Sequence, residues 1–174
     1  MVETGGLRQS GDNEKRIKLL IVDDEVDYLT VLARRLELRG FVVATASTGE
    51  EARTLAREEE FDLALVDLVM PGISGQTLLE ELKREHQLIE VIVITGHSSP
   101  ESVKACSDAG AFSYLQKPIE HDELAMTLKN AYAARMEKQI VADEAVLKAI
   151  VDAAVDSCPY GILSRLRKLD DEVK

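Results

Sequence analysis

Tryptophan is absent from this chain of 174 residues, and aromatic residues make up only 4% of it. Any core must therefore be built from Leu, Ile, Val and Ala. At 45% hydrophobic residues there is enough of them for a globular domain. The length suits one domain of average size with some chain left over. Basic residues are in deficit, 21 Lys and Arg against 32 Asp and Glu, for a formal net charge of −11. That balance argues against a large sequence-independent DNA-binding surface, which needs clustered cations, and direct nucleic-acid binding is not expected. Proteins and metal ions are the better partners. Cysteine is scarce: Cys106 and Cys158 stand 52 residues apart without Cys/His metal spacing. A single disulfide stays open, but free thiols in a reducing compartment are the preferred reading. No apolar run approaches the ~20 residues that span a bilayer, so no membrane segment is expected. The polar start, "MVETGGLRQSGDNEKR", lacks a signal-peptide core and reads as a flexible arm over residues 1–16. A cytoplasmic protein is the expectation.

From residue 17 to about 139, short apolar runs alternate with helical patterns. "IKLLIV" (17–22), "FDLALV" (61–66) and "VIVIT" (91–95) are nearly continuous apolar runs, as buried parallel strands should be. "FVVATA" (41–46) and "FSYLQ" (112–116) are less uniform and suit outer strands. Between them, Leu29, Leu32, Ala33 and Leu36 repeat at helical spacing, with Gly40 as a stop. Thr48-Gly-Glu-Glu51 reads as a capping box. A third helix follows Gly75, and a fourth opens at Ser99-Pro100-Glu101 and stops at Gly110. A fifth is expected from about Asp122 to Lys138. Five such units imply an α/β fold with a doubly wound parallel sheet covered on both faces.

Ligands collect at the carboxyl ends of the strands in such sheets. Asp23 and Asp24 follow the first strand in "LLIVDDEVDYL", Asp67 ends the third, Thr95 the fourth, and Lys117 follows the fifth. Each has an ordinary explanation alone: a cap, a turn residue, a strand end, a solvated lysine. Together they would need four coincidences at one end of one sheet. Asp23, Asp24 and Asp67 make an oxygen-only site suited to Mg²⁺. Two unit charges about 4 Å apart repel by roughly 4 kcal/mol near a surface, and a divalent cation relieves that repulsion. Asp67 can then serve as a nucleophile, with Lys117 and Thr95 helping to position and neutralise a phosphoryl group.

Residues 17 to 139 resemble the receiver domain of two-component response regulators (CheY-like). The pieces that match are "IVDDE", "LVDLVMPGISG", "VITGHSS" and "YLQKP", with separations of 43, 28 and 22 residues between Asp24, Asp67, Thr95 and Lys117. The resemblance implies a flavodoxin-like strand order, 2-1-3-4-5. It implies that Asp67 accepts a phosphoryl group from the histidine of a sensor kinase or phosphotransfer protein. Asp23, Asp24, Asp67 and the backbone carbonyl of Val69 would hold Mg²⁺. Lys117 would pair with the phosphoryl oxygen, its bond to Pro118 being cis. Thr95 and Tyr114 would be the switch pair, and the output face the fourth helix, fifth strand and fifth helix. Tyr114 could also be an ordinary half-buried strand tyrosine. An apolar Val69 and His97 occupy positions that bear on acyl-phosphate lifetime, though His97 also reads as a plain loop residue; His86 and His121 read as surface residues.

Residues 140–174 exceed what a receiver needs and read as a helical extension. "VADEAVLKAIVDAAVDS" has helical spacing, "CPYG" should break it, and "ILSRLRKL" reads as a further short helix. The segment carries five basic and seven acidic residues, too few cations for a recognition helix. It could extend the fifth helix, pack on the receiver or form a homodimer through that helix. The chain is expected to be a signalling switch, not an enzyme. A phosphorylation-independent adaptor and the receiver fragment of a larger transcriptional regulator are the alternatives. A flavin-phosphate site would want a Ser/Thr/Gly loop after the first strand, where "DDE" stands. A haloacid-dehalogenase-type phosphatase would want an aspartate where Val69 stands.

Overall fold

A computed structural model describes residues 16–96 and 99–156. The N-terminal arm through residue 15, His97, Cys158, "CPYG" and the last expected helix lie outside the described residues. Strands and helices alternate: β1 Lys18–Val22, α1 Val26–Glu37, β2 Val42–Ala46, α2 Gly49–Glu58, β3 Leu63–Asp67, α3 Gly75–Glu85, β4 Glu90–Thr95, α4 Pro100–Asp108, β5 Ser113–Gln116 and α5 His121–Asp156. All pairings are parallel, and the strand order is β2-β1-β3-β4-β5. The expected doubly wound sheet is observed.

Strand side chains point alternately to the two faces, and each face has its own core. Leu20, Val22, Ala64, Val66, Val91 and Val93 pack with Ala52, Leu78, Leu79 and Cys106 from α2, α3 and α4. Leu19, Ile21, Leu63, Leu65, Ile92 and Ile94 pack with Leu29, Leu32 and Leu36 of α1 and Leu124 and Leu128 of α5. Continuous apolar runs in the inner strands follow directly, because both their faces are covered.

Local chemistry sets the helix starts. Ser99 and Ser102 form a reciprocal capping box on α4, with Pro100 in the first turn. On α2, Thr48 accepts the Glu51 N–H at 3.2 Å, but the Glu51 carboxylate takes the Ser47 N–H at 2.8 Å. The return arm of the expected box lands one residue early.

The fifth helix differs most from expectation. Instead of ending near Lys138, α5 runs 36 residues to Asp156. No glycine or proline interrupts it, so nothing in the backbone requires a stop. Of the three roles open to the extension, the described part continues the helix. Beyond Arg135 its large apolar side chains through Val151 are exposed, with Ile140, Leu147 and Ile150 between 54% and 63% accessible.

Two buried carboxylates hold α5 at the amino end of the sheet. Asp62, just before β3, lies 2.8 Å from Arg135 Nε and accepts the Lys18 N–H at 2.8 Å. Glu90, at the start of β4, is bonded to Lys83 Nζ at 2.8 Å and to Lys138 Nζ.

Candidate functional site

At the opposite end of the sheet, β1 and β3 deliver Asp23 and Asp67 to neighbouring positions, and the loop after β5 delivers Lys117. Asp23 is fully buried and Asp67 is 5% exposed. Lys117 Nζ lies 2.7 Å from Asp23 Oδ2, 2.8 Å from Asp67 Oδ2 and 3.0 Å from Glu25 Oε1. One ammonium is thus surrounded by three carboxylates, an arrangement still short of positive charge. Asp23 Oδ1 accepts the Glu25 N–H, and Asp67 Oδ1 accepts the Val69 N–H, both at 3.0 Å. The Lys117–Pro118 bond is cis.

Burial raises the Asp23 carboxyl above its ordinary value, and the adjacent Lys117 ammonium only partly offsets this. For Lys117, burial pulls downward, but the three carboxylates of Asp23, Asp67 and Glu25 beside it outweigh this and hold the ammonium well above the usual lysine value. Burial also raises the Tyr28 phenol. The ring of Tyr28 lies under Lys117, with its centroid 4.7 Å from Nζ.

The site is an acceptable cation cage. Ligand oxygens of Asp23, Glu25 and Asp67 lie within 4.8 Å of one another. Asp23 Oδ2 is buried without a well-directed hydrogen bond, despite its close ion pair with Lys117. An oxygen-only set with an orphaned carboxylate oxygen fits a hard divalent ion.

The expected residues do not all converge. Asp23, Asp67 and Lys117 meet directly. Asp24 is exposed and lies outside the three-carboxylate group, where Glu25 stands instead. Asp24 does not cap α1 either, because Glu25 is the N-cap residue. Thr95 is fully buried at the end of β4, one position past the partner of Asp67. Val69 is 63% exposed, and the Tyr114 side chain is half-buried on β5, packed against the core that includes Cys106 of α4. Glu25, the last acid of the "DDE" run, is thus a site residue in the position expected of Asp24.

Gly75 does more than open α3. A Cβ built there would sit 2.0 Å from the Asp67 carbonyl oxygen, so α3 can begin against the Asp67 backbone only without a side chain. Gly75→Ala is expected to lower stability by about 1–3 kcal/mol as the crowded backbone shifts. Thermal unfolding checks this, and an unchanged midpoint would contradict the close approach.

The family model for the response regulator receiver domain matches residues 19–129. The chain belongs to the response regulator receiver family. Transcriptional regulatory protein ZraR of Escherichia coli K12 is 38% identical over 117 residues, covering 67% of this chain and 26% of ZraR. The matched receiver thus spans about a quarter of that relative's length. A CheY-like receiver from Methanospirillum hungatei superposes with a TM-score of 0.69 at 30% identity, covering 71% of this chain and 98% of the other. The response regulator TrrA of Thermotoga maritima, solved in complex with Mg²⁺–BeF, gives 0.61 at 32% identity over 66% of this chain and 98% of its own. Receivers of this family are signalling modules that bind Mg²⁺ at an acidic cluster, and the acidic group here could hold one. No helix among the described residues is long and apolar enough to cross a membrane.

Proposed function

We propose that the protein is a phosphorylation-dependent switch in which Asp67 accepts a phosphoryl group from the histidine of a sensor kinase or phosphotransfer protein. The observation that carries this reading is the meeting of Asp23, Asp67 and Lys117 within 2.8 Å at the carboxyl end of the sheet. In the transfer, the phosphorus–nitrogen bond to the donor breaks and a bond to an Asp67 carboxylate oxygen forms. Asp23, Asp67 and the Val69 carbonyl, with Glu25 or Asp24 directly or through water, would hold Mg²⁺. When bound, that ion neutralises charge shared by the carboxylates and the phosphoryl oxygens. Lys117 follows the incoming oxygens with its ammonium. Thr95, on the strand beside Asp67, supplies a hydroxyl, and Tyr114 links that end of the sheet to α4.

Phosphorylation adds about two negative charges. A conformation in which Lys117 and Thr95 both engage that group gains population, because only differential binding shifts an equilibrium. We take residues 17–139 as the switching unit and 140–174 as the extension that carries output. The exposed apolar side chains of α5 favour a second copy of the chain as the partner for this extension. A second reading, the receiver portion of a longer transcriptional regulator, is favoured by the name of ZraR and by how little of ZraR the match covers.

Light-scattering mass in Mg²⁺, with and without beryllofluoride, tests the output. We expect the mass to change between monomer and dimer on binding the mimic. An unchanged mass with the mimic demonstrably bound would reject assembly as the output.

A further inference from the structure

The proposed transfer leaves Tyr28 unused, although its ring faces the Lys117 ammonium at the site. The lysine stem is long and flexible, and an ammonium has three hydrogen-bond donors and no fixed direction. Here Asp67 and Glu25 accept hydrogen bonds from the ammonium at 2.8 and 3.0 Å, and Asp23 Oδ2 lies 2.7 Å away as an ion-pair partner. The Tyr28 ring lies 4.7 Å from Nζ, within the range at which an aromatic face attracts a cation. Tyr28 lies in the first turn of α1 and packs against the core that includes Leu29 and Leu32. An aliphatic side chain could fill the same space, but only an aromatic face attracts the charge. The attraction is to the face as a whole, so it survives when Lys117 exchanges a carboxylate oxygen for a phosphoryl oxygen.

We propose that Tyr28 is a positioning residue for Lys117, its ring face holding the ammonium beside Asp67 where a phosphoryl group must meet it. This rests on the reading of Asp67 as acceptor. It assigns the effect to the ring and not to the hydroxyl, which makes two substitutions informative: Tyr28→Leu keeps apolar packing without the π face, and Tyr28→Phe keeps the face without the hydroxyl.

The first measurement uses the protein alone. The ring current should shift the Lys117 ε-methylene protons upfield in the parent and in Tyr28→Phe, and the shift should vanish in Tyr28→Leu. The second is calorimetric titration with beryllofluoride in Mg²⁺, in which Tyr28→Leu should bind about three- to tenfold more weakly and Tyr28→Phe should restore the affinity. Equal affinity in Tyr28→Leu and the parent would overturn the proposal. An equal loss in both variants would also overturn it, by placing the effect on the hydroxyl. A parent that binds no beryllofluoride would instead reject the acceptor reading. The proton shift would then still decide whether the ring holds Lys117.

Discussion

Asp67→Asn is expected to abolish phosphoryl incorporation from a small-molecule phosphodonor while the protein stays folded. The amide has nearly the same shape, and its oxygen can still accept the Val69 N–H now bonded to Asp67 Oδ1. What disappears is the anionic oxygen that must form the new bond to phosphorus. Lys117 keeps Asp23 and Glu25 as partners, so its burial stays compensated. Intact-mass spectrometry should show one added phosphoryl group on the parent and none on the variant. Incorporation persisting on another aspartate would remove Asp67 from the role assigned to it.

Arg135→Leu should destabilise the protein by about 3–5 kcal/mol, the usual consequence of leaving one partner of a buried ion pair alone. Arg135 Nε is 2.8 Å from Asp62 Oδ1, and the two side chains are only 10% and 6% exposed. Without the guanidinium, the Asp62 carboxylate keeps a hydrogen bond from the Lys18 backbone but no cation among the described residues. Adding Asp62→Asn should recover a large part of the loss, because the uncompensated charge goes with it. Denaturant unfolding of the two single variants and the double variant measures the coupling directly. Additive losses would mean that the pair contributes nothing beyond its separate contacts.

The alternation of strands and helices was legible because each element is announced locally. Inner strands are continuous apolar runs, and Ser99-Pro100 opens α4 by its own hydrogen bonds. Asp23, Asp67 and Lys117 were legible because the carboxyl ends of parallel strands converge. Which acid beside Asp23 faces Lys117 was not. Asp24 and Glu25 are adjacent in a loop, and their directions depend on backbone angles that composition does not encode. The length of α5 could have been suspected from the absence of glycine and proline between His121 and Asp156. The apolar stripe of Leu124, Leu128, Ala131 and Tyr132 ends before Lys138, and extension of the helix by the following residues was one of three roles left open. The Asp62–Arg135 pair was invisible for another reason: its partners meet only once the sheet and α5 are assembled.

Those ion pairs give α5 a mechanical consequence. Twenty-one residues separate Arg135 from Asp156, and at 1.5 Å per residue that length is about 31 Å. The helix is therefore a lever whose fulcrum sits at Asp62 and Glu90, at the pole of the sheet farthest from Asp67. Tilting it there by about 5° would sweep its far end through roughly 3 Å, enough to move one side-chain layer out of register with a facing helix. A displacement too small to see in the receiver itself would then be plainly readable at the tip.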